Sequence, residues 1–140
     1  MDVDFIIDRL RQGNLPVRQI GGAAELDAAM GGVVTPPALF VLPLAERTVA
    51  GPLLGLHQET DTAEFGVLLC VANVQGARGQ QALAQLAPLR AAVRALLSGW
   101  APARCNGVAM VKQGGQLLRF DGDARMWWMD RFSCQFYYRS

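Results

Sequence analysis

Residues 57–73 read as one long strand with two characters, and that contrast restricts what the chain can fold into. The first half, His57-Gln58-Glu59-Thr60-Asp61-Thr62, is polar, whereas Phe65 to Ala72 is apolar at both alternating sets of positions. A strand apolar on both sides belongs inside a sheet that is covered on both faces. A polar half adds nothing to a core, so it must be solvated or meet another chain. Together these features predict a β-hairpin whose base lies in the core and whose tip projects beyond it. The preceding strand is Ala38 to Leu44, launched by Pro36-Pro37, which forbids a helix there. Arg47 to Leu56, with Ala50-Gly51-Pro52, reads as a turn or loop.

Helical spacing frames this hairpin. Val3, Ile6, Ile7 and Leu10 line one side of a helix over residues 2–12, which Gly13-Asn14 ends because both residues tolerate a left-handed conformation. Leu15 to Ile20 is a short strand-like alternation, and Ala23 to Met30 a second helix closed by Gly31-Gly32. Gln80 to Ser98 carries Leu83, Leu86, Leu89 or Arg90, Val93, Leu96 and Leu97 at helical spacing, with alanines between. Pro88 should kink or split it, and Gly99 and Pro102 stop it.

The last third reads as antiparallel strands. Gly107 to Lys112 and Gln116 to Phe120 form a hairpin around Gln113-Gly114-Gly115, and Asp121-Gly122-Asp123 makes the next turn. From Met126 the alternation puts Met126, Trp128, Phe132, Cys134, Phe136 and Tyr138 on a core face, with Asp130 the only intruder. Trp127, Met129, Arg131, Ser133, Gln135, Tyr137 and Arg139 share the other face. The expectation is a single α+β domain over residues 1–140, with helices packed on one face of a mainly antiparallel sheet.

Composition narrows the function. Thirteen basic residues face twelve acidic ones, a balance unlike that of a protein that wraps nucleic acid by neutralising phosphates. Arg131, Tyr137 and Arg139 could contact a nucleic acid, but arginine on an exposed strand face is common without that role. The N-terminus lacks the basic start and long apolar run of a signal peptide, and no stretch nears the roughly 20 apolar residues of a membrane span. A cytoplasmic product with no membrane contact is expected.

No catalytic pattern emerges. His57 is the single histidine, and His57, Glu59 and Asp61 on one strand face read better as a solvated surface than as metal ligands. The glycine pairs and the segment Gln75-Gly76-Ala77-Arg78-Gly79 lack the order of a phosphate loop. Cys70 and Cys134 fall in core patterns, and Cys105, in a loop, is the accessible candidate among three unpaired cysteines. Exposed apolar residues remain: Leu53 and Leu54 in a loop, and Trp127 and Met129 on the outward strand face. These either mark a contact with another chain or, for Trp127 equally, lie under a loop of the same chain.

Three stretches carry a family resemblance. The first joins Ile7 and Arg9-Leu10 to Ala24-Glu25-Leu26 and Pro36-Pro37-Ala38. The second runs from Pro88-Leu89-Arg90 through Leu96-Leu97 to Gly99-Trp100-Ala101-Pro102. The third leads from Gly114-Gly115-Gln116-Leu117 to Trp127-Trp128-Met129-Asp130-Arg131-Phe132. In order and spacing they resemble the tail terminator proteins of long-tailed bacteriophages and related tail-like particles. The resemblance implies a structural virion protein without cofactor or catalytic residues. It implies a homo-oligomer, a hexameric ring on the end of the tail tube, where it stops tube polymerisation and offers a surface to the head or neck connector. DNA would only pass through such a ring, assembled in the host cytoplasm and incorporated in the virion tail. A head-to-tail ring needs two different patches per subunit. The candidates are the hairpin region of Arg47, Leu53, Leu54 and His57, and the edge formed by Trp127, Met129 and Arg131. The nearest alternative is a neck or tail-completion protein, and a more distant one is a Cys105-dependent hydrolase.

Overall fold

The computed structural model describes residues 2–51, 58–72, 80–121 and 125–139. In chain order the elements are α1 (Asp4–Gln12), β1 (Gln19–Gly21), α2 (Ala23–Met30), β2 (Ala38–Ala50), β3 (Gln58–Ala72), α3 (Gln80–Leu97), β4 (Val111–Asp121) and β5 (Arg125–Arg139). The sheet order is β1-β2-β3-β5-β4, antiparallel except for β1, which pairs parallel with β2. The fold is α+β, with α1 and α3 packed on one face of this mixed sheet, as the helical and strand periodicities predict.

The main core forms where apolar stripes meet. Ile6, Ile7 and Leu10 of α1 and Ala82, Leu86, Leu89, Val93 and Leu97 of α3 bury against Leu39, Val41, Phe65, Val67, Leu69 and Val71. From β5 come Met126, Phe132 and Cys134, with Trp128 and Phe136 packed against the cluster. The expected core face of β5 is thus largely present, although Tyr138, at its far end, is exposed. Asn14, at φ 53°, takes the left-handed conformation expected after α1. Pro88 lies inside α3, which continues as one helix.

A second, smaller cluster lies on the alternate residues of the same strands. Ala38 and Phe40 of β2, Leu68 and Cys70 of β3 and Trp127 of β5 are buried with Ala29 of α2, while Leu26, Leu42 and Met129 pack at its edge. This covering is what a strand apolar on both sides requires, and it includes Trp127. The glutamate of α2's first turn fixes the helix start: the Gly22 N–H donates to Glu25 Oε2 at 3.1 Å. Backbone N–H groups of Glu25 and Gly22 hold that carboxyl below its ordinary range.

Three expectations need correction. β2 does not stop at Leu44 but runs to Ala50, because residues 45–50 pair with 59–64 of β3 after a bulge between Pro43 and Ala45. Gln113-Gly114-Gly115 is not a turn: residues 111–121 form one strand along β5, and this stretch carries a register shift between Lys112 and Gly114. Cys105 is buried rather than accessible. The expected turn at 121–123 falls mostly outside the described residues.

Candidate functional site

Strands β2, β3 and β5 outrun the helices that cover them. Beyond Phe65 they continue as a three-stranded arm, made of residues 45–50, 58–64 and 133–139, held by continuous antiparallel pairing. The residues of β2 from Pro43 to Ala50 are all exposed. Local polar bonds add to the ladder here, while Ala63, Cys134 and Phe136 keep one side of the arm packed on the core. Thr48 Oγ1 donates to Asp61 Oδ1 at 2.6 Å, and Gln113 Nε2 donates to Ser133 Oγ at 2.8 Å. A groove of about 340 Å³ lies between Arg47, Thr62, Glu64, Gln113 and Ser133.

Of the expected contact residues, Arg47 stands exposed on the arm, opposite Thr62. Arg131 is 39% exposed at its side chain and pairs with Glu64 at 3.7 Å, beside the groove. Met129 is half-buried at the edge of the second cluster. Leu53, Leu54 and His57 lie outside the described residues. Trp127 is not on the surface: it is 0% exposed, its ring stacked on Phe40 with centroids 6.0 Å apart. Alternation assigned its face correctly, but α2 helps to cover that face at this level of the sheet. The structure therefore brings Arg47 and Arg131 to one polar region and separates Trp127 from it.

The feature that sequence reasoning passed over is Asp130, which is buried to 1% exposure on the core face. Arg90 of α3 donates from Nε to both carboxylate oxygens, at 3.2 and 3.0 Å, and from one Nη at 2.9 Å. The Trp128 Nε1–H donates to Oδ1 at 2.9 Å, and Lys112 Nζ of β4 lies 3.5 Å away. Arg90 also stacks over the Trp128 ring, 4.4 Å from its centroid. A buried carboxylate is tolerated only when paired and hydrogen-bonded, and here all three surrounding groups are donors. The signal was available: an aspartate intruding on a core face demands a cation, and Arg90 was one of the two residues, with Leu89, that helical spacing offered to the inner side of α3. A Cβ at Gly115 would collide with Asp130 Oδ1 and lie 3.0 Å from Arg90 and Trp128, so glycine lets β4 close over the cluster.

This arrangement organises strands rather than performing chemistry. Cys105 and Cys134 face each other in the core, and burial pushes both thiols up, Cys134 to about 12. A nucleophilic cysteine needs access and the opposite shift, and buried Cys105 offers neither. Among the described residues, no group of three His, Cys, Asp or Glu side chains could hold a metal ion. No described helix is long and apolar enough to cross a membrane.

A search of curated proteins returns no match. The family model described as phage tail terminator protein matches residues 1–140, the whole chain. The chain therefore belongs to the phage tail terminator protein family.

Proposed function

We propose that the protein assembles into a ring, of six copies by resemblance to its family, that caps the tail tube, ends tube polymerisation and presents its other side to the head or neck connector. Family membership carries the general role in tail termination and virion assembly. The observation that supports the finer reading is the arm: a three-stranded extension whose β2 strand is exposed from Pro43 to Ala50, built from the same strands that form the core. Such an extension contributes little to the subunit's own stability and much to its contact surface. Arg47 and Arg131 line the arm side of this surface, and Leu53, Leu54 and His57, proposed as contacts with them, lie outside the described residues. Met129 borders it, while Trp127 is buried in the second cluster, apart from it. Assembly takes place in the host cytoplasm, the product resides in the tail, and DNA passes through the ring without sequence-specific contact.

Electron microscopy of particles made with the gene intact and deleted tests this reading. Abnormally long, headless tails in the deletion are the expected result. Tails of normal length that fail to join heads would instead identify a neck protein.

A further inference from the structure

Charge is unevenly distributed along the chain. Residues 19–45 contain two acidic side chains, Glu25 and Asp27, and no basic one. Residues 80–120 contain five basic side chains, Arg90, Arg94, Arg104, Lys112 and Arg119, and no acidic one. The first stretch holds β1 and α2, at one margin of the sheet, and the second holds α3 and β4, at the other. Each margin also leaves large apolar side chains in water.

At the basic margin these form a seam between α3 and β4. Cross-strand partners share a face, so Leu117 and Phe120, opposite Trp128 and Met126, belong to the side of the sheet that carries α1 and α3. They are still 45% and 44% exposed, because the body of α3 lies over β3 and β5. Facing them is the side of α3 that carries Leu83, Ala87, Arg90 and Arg94. Arg90 identifies that side, since it reaches Asp130 and stacks on the half-buried Trp128 ring. The helix ends toward Met110, whose carbonyl accepts from the Gly99 N–H at 2.8 Å, and the next residue, Val111, pairs with Ser133. Leu83, 50% exposed, therefore lies toward the Phe120 end of the seam, and exposed Arg94 toward the other end.

The acidic margin offers a projection. Helix α2 closes on Gly31-Gly32, where the Gly32 and Val33 N–H groups donate to the Ala29 and Ala28 carbonyls, both at 3.0 Å, with Gly32 at φ 106°. This closed turn presents Met30 and Val33, 38% and 73% exposed. Asp27, also exposed, stands one turn before Met30 on the same side of α2.

We propose that the Met30–Val33 turn of one subunit seats on the α3–β4 seam of a second copy of this chain, its apolar side chains on Leu83, Leu117 and Phe120 and its Asp27 against Arg94. This rests on the ring reading above and names the surfaces that would build it. Charge complementarity selects the occupant: the seam lies in the stretch without a carboxylate, and the turn in the stretch without a cation. Position selects it too. The two surfaces lie at opposite margins of the sheet, so one copy can use both at once, and a contact between unlike patches passes from copy to copy as a ring requires. Side chains alone make this contact, with no strand added to either edge.

Disulfide trapping and charge reversal test it. The native cysteines are buried, so Val33→Cys and Leu117→Cys supply the reactive thiols. Under a mild oxidant, a mixture of the two single variants should give linked dimers, and the double variant a ladder ending at the ring's copy number. Dimers from Leu117→Cys alone would mean that the seam meets itself, which overturns the proposal. Asp27→Arg should abolish rings seen by electron microscopy, as should Arg94→Asp. Combining the two should restore them, a rescue that misfolding would not give. Rings that persist in Asp27→Arg, with no crosslink in the double cysteine variant, would overturn this contact and leave the ring intact. An unmodified chain that stays monomeric both free and on purified tails would overturn both readings.

Discussion

In strands β2, β3 and β5 the same hydrogen-bond ladder runs through two environments. At one end, Leu39, Val41, Val67, Leu69, Phe40 and Leu68 are enclosed on both sides of the sheet. At the other, residues 45–50 and 58–62 keep the pairing but lose the cover. Backbone pairing is thus indifferent to burial, and side chains decide what each half is for. The enclosed half holds the stability of the subunit. The arm is available for contact along β2, which is exposed from Pro43 to Ala50.

Substitutions can break or sharpen this contrast. Trp127→Ala, in the enclosed half, should cost about 4 kcal/mol, read as a lower denaturation midpoint, because it empties the second cluster. Asp130→Ala should cost about 3 kcal/mol by leaving Arg90 and Lys112 without their carboxylate, and replacing Arg90 by Met in that variant should recover part of the loss. Gly115→Ala should cost about 2 kcal/mol by prising β4 from the cluster, with faster amide exchange in β4 as its signature.

The cysteine pair makes a pH prediction. Its thiols titrate higher folded than unfolded, so their contribution is complete below the unfolded value and declines as pH rises from about 9 toward about 12. Stability should fall by about 1 kcal/mol per pH unit above 9, and Cys134→Ala should flatten that slope. At the far end of the scale, Arg47→Ala on the arm should change stability by less than about 0.5 kcal/mol while reducing assembly on tube ends. A large loss of stability there would erase the contrast.

The helices and the core face of β5 were legible because period and composition agree at those places. The projecting hairpin was legible for the same reason, in the change from polar to apolar along β3. Other features depend on partners distant in sequence. Residues 47–50 look like a loop until β3 pairs with them. Gly114-Gly115 looks like a turn until Asp130, Arg90 and Trp128 require a strand without side chains to pass over them. Trp127 looks exposed unless α2 is known to cross that pleat, and Cys105 looks accessible until Cys134 is found opposite. In the arm the only local signal is polarity, which marks a surface without naming what touches it.

The carboxylate of Asp130 ties three elements together: α3 through Arg90, β4 through Lys112, and its own strand. Strands at the rim of a sheet are the ones that peel, one hydrogen bond at a time, when pulled. A tug on β4 is instead shared with α3 and the packing beneath it. The outermost strand of this subunit is anchored like a beam end, able to transmit load into the body of the protein.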